Sequence, residues 1–331
     1  MIALFKQKSP ANIIILLIFG LLIKMPLFLY PKAIKTGPKD EKLYDFIVTL
    51  LSKSPDGSGF AASIVCFLLL YAQALMINYL INEQRMTTKQ TYLPAMSFLL
   101  ITSLFPEWNF LSSPLMASFF IVLSFIKLFR LYNVGIASGA IFNIGLLLGT
   151  ASFIYFPSLA YTLCIFLGLM ILRPFKINEV VLLLLGILTP YYFLAVYLFL
   201  AGDLSLQNIL PNIIFRINPI PATLWVAVAV ALIGIPFLSG GYFIQAQLGK
   251  MLIQVRKNWS ILLLYLVISL IIPLGSGTDS LQHWVIAAAP FAAFHASAYL
   301  YPGKMIIPLI LFVTTVIFIF FRQYGIPLWR L

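Results

Sequence analysis

The chain has 331 residues, of which 62% are hydrophobic and 9% charged, with a net charge of +12 and a mean hydropathy of +1.04. A soluble domain carries roughly a quarter charged residues, which excludes a water-borne globular architecture. The positive balance does not point to nucleic acid, because basic residues in so apolar a chain mark cytoplasmic loops.

In chain order, apolar runs fall at 12–30, 60–82, 92–105, 114–129, 138–156, 158–172, 179–200, 222–244, 259–274, 284–301 and 305–321. About twenty such residues cross a hydrocarbon core of about 30 Å as a helix. Backbone groups in lipid need partners within their own segment, so spans are helical or belong to a closed barrel. Runs such as Val180–Leu200 lack the strand alternation of a barrel. The expected fold is an all-α polytopic transmembrane bundle of about eleven spans, with residues 1–331 forming one integral membrane domain. The pair at 92–105 and 114–129 reads either as two tilted spans or as a re-entrant hairpin. The first run is too long for a signal peptide and lacks a small-residue cleavage site, so it reads as an uncleaved first helix.

With the N-terminus inside, twelve Lys and Arg residues fall in inner loops and eight in outer ones, five of the eight in the first outer loop. That bias predicts a cytoplasmic N-terminus in a bacterial inner membrane. The acids sort the other way: Asp40, Glu41, Asp45, Asp56, Glu107, Asp203 and Asp279 fall outside with His283, and Glu83 and Glu179 inside.

The first outer loop, 31–59, is the longest polar stretch. Within it Leu43, Phe46, Ile47, Leu50 and Leu51 recur at helical spacing, predicting an amphipathic helix over 39–53 along the periplasmic interface. The segment ends at Ser-Pro-Asp-Gly-Ser-Gly, a turn signal.

No Walker A loop and no Gly-x-Ser-x-Gly elbow occurs. Two histidines, His283 and His295, are too few for a His-rich di-iron site. Cys66 and Cys164 sit in apolar runs and read as small core hydrophobes. His295, mid-span, reads as a packed core histidine. Lys24, inside the first run, either snorkels from near its end or faces a polar cavity. The outer-face set of Asp40, Glu41, Asp45, Glu107, Asp203, Arg216, Asp279 and His283 is the candidate site. A carboxylate there has the chemistry of a general base or a divalent-metal ligand, with the metal left undefined. Arg216 and His283 have the chemistry of a phosphate clamp.

The segment Pro38-Lys39-Asp40-Glu41-Lys42-Leu43-Tyr44, after the first span, resembles the "Asp-Glu-x-x-Tyr" of GT-C membrane glycosyltransferases. Two further stretches look similar. One is Asn143-Ile-Gly-Leu-Leu-Leu-Gly-Thr-Ala with Arg173-Pro-Phe and Gly186-Ile-Leu-Thr-Pro190, and the other is His283-Trp-Val-Ile-Ala-Ala-Ala-Pro290. Lys8-Ser9-Pro10-Ala11-Asn12 also looks like the start of an uncharacterised family of bacterial polytopic inner-membrane proteins. The GT-C resemblance implies a GT-C-like fold and a polyprenyl-phosphate-linked sugar donor. It implies Asp40 or Glu41 as the catalytic base, with Arg216 and His283 on the donor phosphate. Membrane lipid is then a partner, nucleic acid is not, and no cofactor beyond a divalent metal is called for. Two other readings stay open at this point: a non-catalytic scaffold with envelope protein partners, and a transporter or lipid flippase.

Overall fold

The computed structural model describes residues 2–7, 9–31, 42–52, 59–202, 223–274, 280–304 and 306–324. Asp40, Glu41, Asp203, Arg216 and Asp279 lie outside them, as do residues 39–41 and 53 at the ends of the expected interfacial helix. The described residues are helical and contain no strand.

Three short or interrupted helices open the chain: α1 (Ile2–Phe5), α2 (Ala11–Ile23) and α3 (Pro26–Leu29). Then come α4 (Lys42–Ser52), α5 (Gly59–Glu83), α6 (Leu93–Leu104), α7 (Ser113–Phe129), α8 (Ser138–Ile154) and α9 (Tyr161–Leu172). The last five are α10 (Ile177–Leu200), α11 (Leu224–Gln247), α12 (Ile253–Leu274), α13 (Ala288–Leu300) and α14 (Ile306–Tyr324). Short 3₁₀ segments at Pro106–Asn109, Phe156–Ala160 and Leu281–Ala287 join some of them. Every apolar run of the sequence carries a described helix. Among the described residues five helices, α5, α10, α11, α12 and α14, are long and apolar enough to cross a membrane by length and composition. Several others are shorter but equally apolar.

Helix α6 is the central post, with every one of its residues buried. Pro94 at its start supplies a preset φ where no N–H is needed. Its 12 residues rise about 18 Å, less than a bilayer core. That length is tolerable because α2, α5, α13 and α14 enclose it, so its ends meet protein rather than lipid. Helix α7 packs beside α5, α8 packs on α7, and α10 packs chiefly on α8 at the periphery.

The outer helices show large apolar side chains to their surroundings: Leu184, Leu188 and Phe193 on α10, Leu238 on α11, Ile310 and Ile317 on α14. A soluble protein does not expose contiguous apolar faces of this extent, whereas lipid accepts them. Length, composition and this inverted exposure are those of a multi-pass membrane protein.

Two helix pairs approach to backbone contact. A Cβ added to Gly145 would lie 2.3 Å from the Leu183 carbonyl oxygen, and one on Gly149 would lie 2.5 Å from that of Ile187. From α10, a Cβ on Gly186 would meet the Phe142 carbonyl at 2.4 Å. Gly145-x-x-x-Gly149 is thus a small-residue seam that lets two backbones touch. On the other side of the bundle, Gly240 of α11 faces the Phe294 carbonyl of α13 at 2.0 Å on the same measure. Pro236, one turn earlier, lacks the N–H that would bond the Leu232 carbonyl. Fully buried His295 of α13 approaches that carbonyl without closing a hydrogen bond of good geometry, and its ring stands edge-on to Tyr299 at 5.0 Å. It is a packed core residue, as expected, with looser hydrogen bonding than the core reading implies.

The loops gather at two ends. At one end lie the N-terminal turn, the loops 84–92, 130–137 and 173–176, the segment 248–252 and the loop after α13, which between them carry most of the described cations. Tyr92 N–H donates to the Phe5 carbonyl at 2.8 Å, and Trp259 Nε1 donates to the Met86 carbonyl at 3.1 Å. Asn82 brackets its loop by donating to the Thr91 carbonyl and accepting from the Thr91 N–H, at 2.9 and 3.1 Å. Arg173 is buried and clamps the 131–135 loop. Its guanidinium donates to the carbonyls of Leu131, Val134 and Gly135 and pairs with Glu179 at 2.8 Å. Partial burial, with the nearby Lys89 charge adding to it, pulls the Lys6 ammonium below its usual range. The opposite end carries α4 and the three 3₁₀ turns.

Candidate functional site

The end opposite the cations is where the sequence places its candidate site. Helix α4 docks there through Tyr44 and Val48, which pack with Ile154 at the end of α8. Tyr44 is 1% exposed, and its hydroxyl donates to the Leu111 carbonyl at 3.1 Å. Asp45, Leu43, Ile47 and Leu51 are half-buried, while Phe46 and Leu50 stay 64% and 63% exposed. The protein-facing side is therefore turned toward 44 and 48 relative to the apolar stripe read from the sequence. Positions 46 and 50 are left as an apolar edge directed away from the bundle, the side that suits a lipid interface.

Glu107 sits half-buried in the turn Pro106–Asn109. Its neighbour Trp108 packs tilted against Phe105, ring centroids 4.6 Å apart, and donates from Nε1 to the Leu281 carbonyl at 2.7 Å. That bond ties this turn to the one carrying His283, two residues beyond Leu281. His283 Nδ1 shares a hydrogen bond with the Tyr155 hydroxyl at 2.9 Å, and the two rings lie near-parallel with centroids 5.4 Å apart. Tyr155 directly follows Ile154, the residue on which α4 rests. The structure thus brings Glu107, His283 and α4 with its Asp45 to one layer built around the ends of α7 and α8.

Beneath His283 the layer is aromatic. Tyr161 donates to Ser269 Oγ at 2.8 Å and stands edge-on to Tyr265 at 5.4 Å, and Tyr265 stacks on Phe125 at 4.3 Å. All three tyrosines, Tyr155, Tyr161 and Tyr265, are at most 2% exposed. Their hydroxyl groups supply polar handles in an apolar column, a use to which tyrosine suits itself.

Sequence reasoning left Lys24 either snorkelling or facing a polar cavity, and missed its partner. It does not snorkel: it turns inward, 0% exposed, and its ammonium donates to Asn109 Oδ1 at 2.6 Å. Among the described residues no carboxylate pairs with it. The reason lies in the chain path. The helix breaks at Lys24–Met25 before Pro26, which turns the side chain inward under the 106–109 turn. Gln73 was also missed. It donates to the Leu115 carbonyl at 3.0 Å and accepts from Ser118 Oγ at 2.7 Å, tying α5 to α7. A glutamine in mid-run is the sequence signal that could have found it.

Cys66 and Cys164 are buried free thiols, matching the core reading. Among the described residues no three His, Cys, Asp or Glu side chains gather as a metal site would require. The oxygen donors described at this end, Asp45 and Glu107, would need the undescribed acids to complete a divalent-metal site. No family model, curated protein or solved structure matches this chain.

Proposed function

We propose that this protein lies in a bacterial inner membrane with about eleven spans and a cytoplasmic N-terminus. In this reading it transfers a sugar from a polyprenyl-phosphate carrier to an acceptor at the periplasmic face. The observation that carries the reading is the docking of α4 on Leu111 and Ile154, with His283 bonded to the adjacent Tyr155. The acid pair Asp40–Glu41 directly precedes this helix in the sequence. In the reaction, a carboxylate of Asp40 or Glu41 takes the acceptor hydroxyl proton as its oxygen bonds the sugar C1. The C1–O bond to the carrier breaks, and polyprenyl phosphate leaves. The leaving phosphate needs cationic stabilisation more than a proton, the role assigned to Arg216 and His283.

In liposomes containing polyprenyl-phosphate-linked hexoses and pentoses, with a bacterial envelope extract as the source of the acceptor hydroxyl, the protein is expected to release polyprenyl phosphate as the sugar is transferred. Asp40→Asn with Glu41→Gln should lower that release about 10²–10⁴-fold while leaving the protein inserted, as loss of a general base does. Full release by the double variant would overturn the base assignment.

The orientation has its own test. Lys89→Cys, Lys176→Cys and Arg256→Cys, each made singly, should react with a membrane-impermeant maleimide only after the membrane is permeabilised. Labelling of two of these three in intact cells would invert the topology.

A second reading has its own support. Tyr44, Trp108 and Lys24 at this end are all committed to Leu111, Leu281 and Asn109, bonds that hold the fold together. A non-catalytic scaffold for an envelope assembly would use its polar groups in this way. It predicts that the Asp40→Asn, Glu41→Gln variant keeps full cellular function.

A further inference from the structure

We propose that the cleft between α9 and α12 holds an acyl chain of an anionic phospholipid, with the phosphate on Arg256. The cleft has a volume of about 520 Å³ and is walled by Leu167, Met170, Ile171, Leu263, Leu264 and Val267. Ser260 lies at its basic end, but its hydroxyl donates to the Arg256 carbonyl at 3.1 Å, so it directs no donor into the cleft. The walls therefore suit a hydrocarbon chain. From Ser260 to Val267 the α12 wall rises about 10 Å, roughly two-thirds of one leaflet of a bilayer core of about 30 Å. A chain of the adjoining leaflet matches that depth.

Arg256 stands four residues before Ser260, one turn nearer the basic end on the same helix face. It is exposed and has no ion-pair partner among the described residues. A second small cleft shares Met170 with the first and is bordered by Lys176, also exposed and without an ion pair among the described residues. The two described acids of this end are both engaged, Glu179 with Arg173 at 2.8 Å and Glu83 with Arg130 at 3.9 Å. The apolar slot ends at Ser260, one helical turn from Arg256, and the adjoining cleft that shares Met170 is bordered by Lys176 and by Glu179, whose carboxylate is taken up by Arg173. A hydrocarbon tail with one anionic head complements this arrangement.

Bilayer tails are as apolar as leucine, so the cleft does not by itself prefer one lipid. Discrimination arises from the head, at about fivefold per nearby cation for an anionic over a zwitterionic lipid. The proposal is independent of the enzymatic reading.

Native mass spectrometry of the full chain, released from nanodiscs of equal phosphatidylglycerol and phosphatidylcholine, tests it. The wild type should retain phosphatidylglycerol at least about fivefold over phosphatidylcholine. Arg256→Gln with Lys176→Gln should bring the ratio near one, while Lys250→Gln, off the cleft, leaves it unchanged. Leu264→Trp, or Val267→Trp should that variant misfold, fills the cleft and should strip the bound lipid with both cations in place. Millimolar glycerol phosphate should not displace the lipid, because the head alone lacks the cleft. An unchanged ratio in the double variant, an unchanged lipid load in the tryptophan variant, or displacement by glycerol phosphate would each overturn the proposal.

Discussion

Gly145→Ala and Gly149→Ala are each expected to loosen α10 from the bundle. The added methyl would stand 2.3 Å from the Leu183 oxygen or 2.5 Å from that of Ile187, distances that no side-chain rotation relieves because both neighbours are backbone. The helices must separate, and overpacking of this kind costs about 1–3 kcal/mol. Since α10 rests chiefly on α8, the loss is not shared with other neighbours. The two glycines lie one turn apart on one face, so the first substitution opens the gap that the second needs. The double variant should therefore cost little more than the worse single one. Gly240→Ala should behave similarly at the α11–α13 contact, where the Phe294 oxygen stands at 2.0 Å. Adjacent Gly241 faces open space, and Gly241→Ala should instead stabilise by about 0.5–1 kcal/mol through helix propensity. Thermal midpoints in detergent measure all five variants. Equal midpoints for Gly240→Ala and Gly241→Ala would show that the contact is not as close as described.

The second large effect is expected at Asn109. Replacing it with leucine leaves the fully buried Lys24 ammonium without its 2.6 Å acceptor. Leaving a buried charged group without its hydrogen-bond acceptor costs about 1.5–3 kcal/mol. Lys24→Met leaves only a neutral amide oxygen unsatisfied, at about 1–3 kcal/mol. Combining the two removes both orphaned groups, so the double variant should be more stable than Asn109→Leu alone. That inversion, in which adding a mutation restores stability, is read by a double-mutant cycle on chemical unfolding in micelles. Additive losses would mean that Lys24 and Asn109 act independently. The same cycle separates structure from chemistry: a Lys24→Met protein with normal stability but no sugar-transfer activity would assign the ammonium a role toward the donor phosphate.

Which parts of this molecule were legible beforehand follows from the physics each depends on. The helical runs, from 12–30 to 305–321, could be read because solvation by lipid acts on each segment separately. The gathering of Lys6, Lys89, Arg173 and Arg256 at one end was readable for a related reason. Successive helices reverse direction, so alternate loops share an end. Buried Cys66 and Cys164 followed from their apolar surroundings. The seam at Gly145 and Gly149 was present in the sequence as small-x-x-x-small spacing, but its partner was not, since nothing local says that Gly186 of α10 meets it.

The candidate site was less legible. The helical stripe of α4 marked an amphipathic helix, but which of its edges meets protein depended on where Ile154 and Leu111 stand, and the structure turned the packed face to Tyr44 and Val48. Lys24 shows the same limit more sharply. Its residue type and depth allow a snorkelling chain or a cavity, and only the break before Pro26 and the placement of the 106–109 turn direct it onto Asn109. Tyr155 gave no signal as a partner for His283, 128 residues away. The sequence by itself determined the solvent, the helical state and the segregation of charge, because those depend on local composition against lipid and water. Tertiary structure alone decided which polar groups meet, because hydrogen bonds act over about 3 Å and join residues that the chain separates by tens to hundreds of positions.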